Sequence, residues 1–180
     1  MLGIVRYRLW QFWQGVQARS LPDEAWHEIE MVLSAREMAL FERFLPADQS
    51  HSYRVMQTLY RAGHRHPALL TAALLHDIGK TKIRLQTWAR LFTGLVELVS
   101  PRIAAAWGQG KPNWWRHGFV IKAQHPAWGA AMTEAVGTNL LTVALIRRHQ
   151  DNLGVLSLPA AAASLEEQLL QQLQWADDQN

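Results

Sequence analysis

Apolar residues along this chain recur at helical spacing, and no stretch alternates as a half-buried strand would. In the opening segment Ile4, Val5, Leu9, Phe12, Trp13 and Val16 share one helical face. Ser20 and Pro22 then mark the start of a helix predicted to run to about Arg43. Pro46 ends that stretch, and a short helix is expected over residues 50–62. Pro67 suits a first helical position, and the next helix carries ALLTAALLHD as far as Gly79, a natural stop. Further helices are expected over residues 87–99, from Ser100-Pro101, and over 114–123, 126–136 and 139–149, with breaks at Pro126 and Gly137. GQGKPN at 108–113 and the stretch 151–160 read as loops. The last helix starts at Ser164, where Ser-Leu-Glu-Glu matches a capping box closed by Glu167. No internal repeat is present. The expected fold is all-α, a single-domain helical bundle, with residues 1–44 as N-terminal helices packed on or extending the domain at 45–180.

Composition narrows the function classes. A length of 180 residues suits one domain with a real core. The absence of cysteine excludes a disulfide scaffold, a thiolate zinc site and a cysteine nucleophile. It fits a reducing compartment, so a cytoplasmic location is expected. Eighteen Lys+Arg against fifteen Asp+Glu leave a scattered +3, too little to make nucleic acid the expected partner. With 49% hydrophobic and 18% charged residues the chain is not a disordered one. No apolar run approaches the ~20 residues of a membrane span, so no transmembrane segment is expected. Arg6 and Arg8 interrupt the N-terminal apolar run, which lacks a secretory h-region, so a secretory leader is not expected there. Its amphipathic face suits packing on the domain, an interface, or the pairing of two chains as a homodimer. Trp107, Trp114 and Trp115, with Arg102, Lys111, Arg116 and Lys122 near them, would suit base stacking. The favoured reading is that Trp88, Trp107, Trp115 and Trp128 fill spaces between helices.

The informative residues are polar ones on apolar faces. His51 shares a face with Val55 and Leu59, and His76 with Leu69 and Ala73. Asp77 follows Leu70, Ala73 and Leu74; His149 follows Leu145 and Ile146; Asp177 follows Leu169, Leu170 and Leu173. Burying such groups unpaired costs roughly 1–3 kcal/mol for a neutral polar group and far more for an isolated carboxylate. Each alone reads as a satisfied core histidine or an ion-paired aspartate. The adjacent His76-Asp77 pair, set between an apolar run and Ile-Gly-Lys, favours a shared cation instead. Imidazole nitrogen and carboxylate oxygen suit a divalent ion of the Mn, Fe, Zn, Ni, Co or Mg type.

LLTAALLHDIGKTK, residues 69–82, resembles the signature of the HD-domain superfamily of metal-dependent phosphohydrolases, in the HDIG form. The resemblance covers residues 45–180 and implies an all-helical bundle. It implies a ligand order of one His, an adjacent His-Asp and a late Asp, met here by His51, His76, Asp77 and Asp177. Asp177 is preferred to Asp178 because it continues the apolar face of its helix. HPAWGA places His125, and LIRRHQD places His149, where the distantly similar HD-GYP proteins hold a second ion. The chain departs from those proteins in reading Arg148-His149-Gln150 and in lacking the GYP motif.

The resemblance implies a hydrolase that cleaves a phosphate ester of a nucleotide or other small phosphorylated metabolite by metal-activated water, with one or two ions and Asp77 able to bridge them. Asp77 and Lys80 are the candidate catalytic residues; Lys80, Arg147 and Arg148 are the candidate contacts to substrate phosphate. The alternatives are a non-catalytic signalling or ligand-binding module of the same fold and a cyclic-dinucleotide phosphodiesterase. His64 and His66 are expected to be solvated in their turn, and His27 to lie at the surface. His117 is an alternative to His125.

Overall fold

A computed structural model describes residues 20–83, 93, 96, 100–110, 113, 115–151 and 163–180. Among them the elements are eight α-helices and one 3-10 turn, with no strand, in agreement with the all-α expectation. The helices are α1 (Asp23–Glu30), α2 (Ala35–Phe41), α3 (Pro46–Arg61), α4 (Pro67–Leu75), α5 (Pro101–Gly108), α6 (His117–Ala135), α7 (Leu140–Arg148) and α8 (Leu165–Asp178). The 3-10 turn, Ile78–Lys82, follows α4 almost directly. The N-terminal amphipathic segment, the expected helix over 87–99 and most of the loop at 151–160 lie outside the described residues.

Helix α4 is the centre of the bundle. Every residue from Ala68 to Leu75 is buried, so the helix has no polar face to turn to water. It packs against α3, α7, α8 and α2, and Leu69, Leu74 and Leu75 are fully enclosed. Truncating one of these leucines to alanine would cost about 2–5 kcal/mol. Leu21, Ala25, Ile29, Phe41 and Phe44 belong to the same apolar core, so the described part of the N-terminal stretch packs on the bundle. No helix among the described residues is long and apolar enough to cross a membrane.

Four boundaries differ from the sequence expectation. The helix expected up to Arg43 is two helices, because Ser34 and Glu37 form a capping box that starts α2. Pro46 opens α3 rather than marking a gap before it, since a proline costs nothing at the first helical position. Helix α4 stops at Leu75, and the backbone tightens into the 3-10 turn, where Lys80 N–H donates to the Asp77 carbonyl at 2.9 Å. Helix α6 runs unbroken through Pro126 where a break was expected. The capping box at Ser164 and Glu167 opens α8 as its sequence predicts.

Candidate metal centre

Five helices and the 3-10 turn bring the polar groups together. His51 comes from the second turn of α3, His76 closes α4, Asp77 precedes the 3-10 turn, and His125 lies mid-way along α6. His149 closes α7 and Asp177 lies in the last turn of α8. His76, Asp77, His125 and His149 are buried, while His51 and Asp177 are half-buried at the mouth of the cluster. Packing of the 3-10 turn against α6, and of α6 against α7, sets Asp77 opposite His125 and His149.

The distances define two groups that share Asp77. In the first, His51 Nε2 lies 3.0 Å from Asp177 Oδ1, and His76 Nε2 lies 3.4 Å from Asp77 Oδ2 and 3.6 Å from Asp177 Oδ1. In the second, Asp77 Oδ1 lies 3.2 Å from His125 Nε2 and 3.8 Å from His149 Nε2. The two latter nitrogens are 3.1 Å apart. Donor atoms of His51, His76 and Asp77, and again of Asp77, His125 and His149, lie within 4.8 Å of one another, a spacing that can hold a metal ion.

The backbone decides which ring nitrogen faces the centre. A carbonyl oxygen only accepts, so each Nδ1 bound to one carries the proton. His76 Nδ1–H donates to the Ala73 carbonyl at 2.9 Å, and His149 Nδ1–H to the Ile146 carbonyl at 2.7 Å. His125 Nδ1–H donates to the Ile121 carbonyl at 2.9 Å and the Lys122 carbonyl at 3.1 Å. Three Nε2 lone pairs are thereby turned inward. His76 Nε2 is buried without a hydrogen-bond partner, and the His125 and His149 lone pairs face each other and the Asp77 carboxylate. Such a set of converging lone pairs and carboxylates suits a divalent cation, which supplies the missing positive charge.

Electrostatics follow from the same crowding. Burial pulls the His76 pKa down, but the Asp77 and Asp177 charges outweigh it and raise it to about 9. Burial and the nearby His76 charge push His149 down to about 3. Burial favours a neutral Asp77, yet the Lys80 and His76 charges hold its carboxyl well below the usual range. Asp177 is also lowered: its hydrogen bond with His51 overcomes the effect of burial. Without a cation, therefore, a proton on His76 and the Lys80 ammonium provide the balancing charge.

The sequence-predicted residues divide clearly. His51, His76, Asp77, His125, His149 and Asp177 converge, and Lys80 Nζ is ion-paired with Asp77 Oδ2. Asp178 is exposed, one step round the helix from Asp177. Arg147 and Arg148, the candidate contacts to substrate phosphate, form ion pairs with other acidic residues. Arg147 pairs with Glu134 at 3.6 Å, and Arg148 with Asp151 at 3.0 Å and with Glu166. Their Cβ vectors leave α7 at angles well away from that of His149.

Other ring residues pack or cap. Trp107 meets Trp115 edge-on at 5.0 Å and Phe119 at 5.3 Å, as interhelical packing requires; Trp88 and Trp114 lie outside the described residues. His27 is exposed, as expected for a surface residue, and His117 opens α6. His66 is not simply solvated, because its Nδ1 accepts from Ala68 N–H and caps α4.

One residue of the centre had no sequence signal. Gln174 Nε2 donates to the carbonyls of His149 at 3.0 Å and Asp151 at 2.8 Å, tying α8 to the turn that carries His149. A cleft of about 430 Å³ has His149 and Asp177 in its wall, together with Lys122, Gln174 and Asp178, so the centre opens to a polar space.

An all-helical domain with a buried histidine–aspartate cluster able to hold a divalent cation is the class these observations define. Residues 49–177 match the HD domain family, and the chain belongs to that family. The match begins two residues before His51 and ends on Asp177. No curated protein and no solved structure matches the chain.

Proposed function

We propose that this chain is an HDIG-type, metal-dependent phosphohydrolase acting on a phosphate ester of a nucleotide or another small phosphorylated metabolite. The observation that carries the reading is the buried, unpartnered His76 Nε2 facing the carboxylates of Asp77 and Asp177. A polar atom enclosed in this way is costly unless positive charge completes it, as a metal ion would in place of the proton that the two carboxylates favour there. His51, His76, Asp77 and Asp177 would hold one ion, and Asp77, His125 and His149 a second, as in the distantly similar HD-GYP proteins. When bound, such a cation lowers the pKa of water and neutralises charge growing on phosphoryl oxygens.

The chain's own groups supply the remainder. The Asp77 carboxylate stays ionised, and its two oxygens face different groups of histidines. The Lys80 ammonium beside it stays charged: burial opposes the charge, but Asp77, Asp48 and Asp177 raise its pKa. A charged Lys80 beside Asp77 supports a role in orienting a substrate phosphoryl oxygen over the centre. The polar cleft beside His149 and Asp177 suits a hydrophilic small molecule. The absence of cysteine from the sequence accords with a cytoplasmic setting.

The test pairs metal content with turnover. Protein purified without chelator is incubated with Mn²⁺, Fe²⁺ or Co²⁺, and bound ions per chain are counted by mass spectrometry. Hydrolysis of p-nitrophenyl phosphate and bis-p-nitrophenyl phosphate is then measured. Metal-dependent release of nitrophenol, lost in Asp77→Ala with helicity retained, is the expected result. Stoichiometric metal without turnover of any phosphate ester would instead identify a ligand-binding module.

A further inference from the structure

Histidines at the ends of two helices and one in the middle of a third make the same hydrogen bond. Ala73 and Ile146 sit in the last turns of α4 and α7, where the helix runs out of backbone donors and leaves carbonyls to be satisfied by other groups. His76 and His149 satisfy those two carbonyls through Nδ1–H. His125 has no helix end near it, because α6 continues for ten residues beyond it to Ala135. In an ordinary helix the Lys122 carbonyl would accept the N–H of residue 126. Residue 126 is proline and has no N–H to give. The Lys122 carbonyl is therefore left for the His125 ring, whose Nδ1 lies 3.1 Å from it.

We propose that Pro126 is a positioning residue for His125. By withholding a backbone donor it creates inside α6 the open carbonyl that α4 and α7 obtain by ending, and so directs His125 Nε2 at Asp77 and His149. His125 is fully buried and Pro126 is buried beside it, so neither is a solvated turn residue. The Ile121 carbonyl, at 2.9 Å, is the nearer acceptor, but it also stands where the backbone N–H of His125 closes the helix, so the ring shares it, whereas the carbonyl at 3.1 Å is the one to which residue 126 gives no backbone donor. Lys122 supplies the carbonyl that Pro126 leaves open. The arrangement trades helix stability for ring orientation, since a proline in a helix interior is among the least favourable residues there.

That trade gives opposite signs to two measurements, which a purely structural role would not do. In Pro126→Ala the restored N–H competes for the Lys122 carbonyl. Long-range ¹H–¹⁵N spectra of ¹⁵N-histidine protein, recorded without metal, should show His125 shifting from the Nδ1–H tautomer to a mixture. His76 and His149 should keep theirs and serve as internal controls. The melting temperature should be equal to or above that of the wild type. The metal arm rests on the proposed two-ion reading. Co²⁺ titration should show one of two sites weakened by ~10-fold or more, the usual effect of losing a partner that orients a ligand.

Pro126→Gly restores the same N–H without a Cβ and should reproduce the tautomer change. An unchanged His125 tautomer in both variants would overturn the proposal. Failure of both to fold would also overturn it, by assigning Pro126 to packing alone. If the wild type binds no Co²⁺, the two-ion reading fails while the tautomer comparison still decides the role of Pro126.

Discussion

A Cβ placed on Gly79 would lie 2.0 Å from the carbonyl oxygen of His125 and 2.7 Å from the backbone nitrogen of Gly129. The 3-10 turn after Asp77 therefore rests backbone-to-backbone on α6, with no room for a side chain between them. This contact sets the spacing between Asp77 and His125, which come from segments far apart in sequence. Gly79→Ala must push the turn off α6. The expected cost is about 1–3 kcal/mol, as for other overpacked sites, read as a lower melting temperature. Metal binding by Asp77, His125 and His149 should weaken in the same variant. Unchanged stability and metal affinity would show that the two segments move apart freely.

Asp77 is the one side chain common to both groups of donors. Asp77→Ala should lose every bound ion, whereas His51→Ala and His149→Ala should each weaken one group and spare the other. Metal counting by mass spectrometry on the three variants checks this. Full retention of one ion in Asp77→Ala would show that the groups do not share it. Asp178→Asn, on the exposed side of α8, should bind metal as the wild type does, while Asp177→Asn should not.

Lys80 and the two arginines of α7 separate cleanly. Lys80→Met should reduce kcat/KM for phosphate esters on the order of 10²-fold, the effect of losing one well-placed donor to a charged phosphoryl oxygen. Arg147→Ala and Arg148→Ala remove ion pairs with Glu134, Asp151 and Glu166 and should leave kcat/KM near the wild-type value. Steady-state kinetics on the three variants is the measurement. A larger loss in Arg148→Ala than in Lys80→Met would reverse the assignment.

The capping box of α8 predicts an acid-sensitive contribution to stability. The N–H of Ser164, then its hydroxyl, donate to the Glu167 carboxylate and lower its pKa. A carboxyl whose folded pKa is depressed stabilises the fold above its unfolded pKa. That contribution is lost as pH falls through the folded value. Glu167→Gln should therefore melt below the wild type at neutral pH, and the gap should close as the pH is lowered below the carboxylate range. Thermal unfolding of both proteins across that range checks the sign. A gap that widens in acid would contradict it.

The fold class and the converging residues were legible in the sequence because both rest on helical periodicity. His76, Asp77, His149 and Asp177 each follow apolar residues by three or four positions, and His51 precedes Val55 by four and Leu59 by eight, which placed them against the core. The HDIGK string carried the family. Less legible were features that depend on competition between neighbouring signals. Ser34 and Glu37 lie inside an apolar-periodic stretch, so their capping box was hidden by the longer pattern. Pro126 reads as a breaker by local rule; burial against the bundle and a side-chain donor for the open carbonyl keep α6 whole. Arg147 and Arg148 were read as phosphate contacts from proximity to His149 in sequence, and their ion pairs with Glu134, Asp151 and Glu166 depend on helical rotation and tertiary packing that no local pattern announces. The role of Gln174 depends on tertiary contact alone, and no local pattern announces it.

The pair of His51 and Asp177 joins a helix near the beginning of the matched region to the helix that ends it. In a chain without cysteine, that junction is the counterpart of a cross-link closing a very long loop. Its gain lies in the freedom denied to the open chain, which grows with loop length only slowly. A cation gripped by both residues would make the closure conditional on metal supply. Starvation for metal would then appear first as loosening of α8 from α3, before any loss of the central helix.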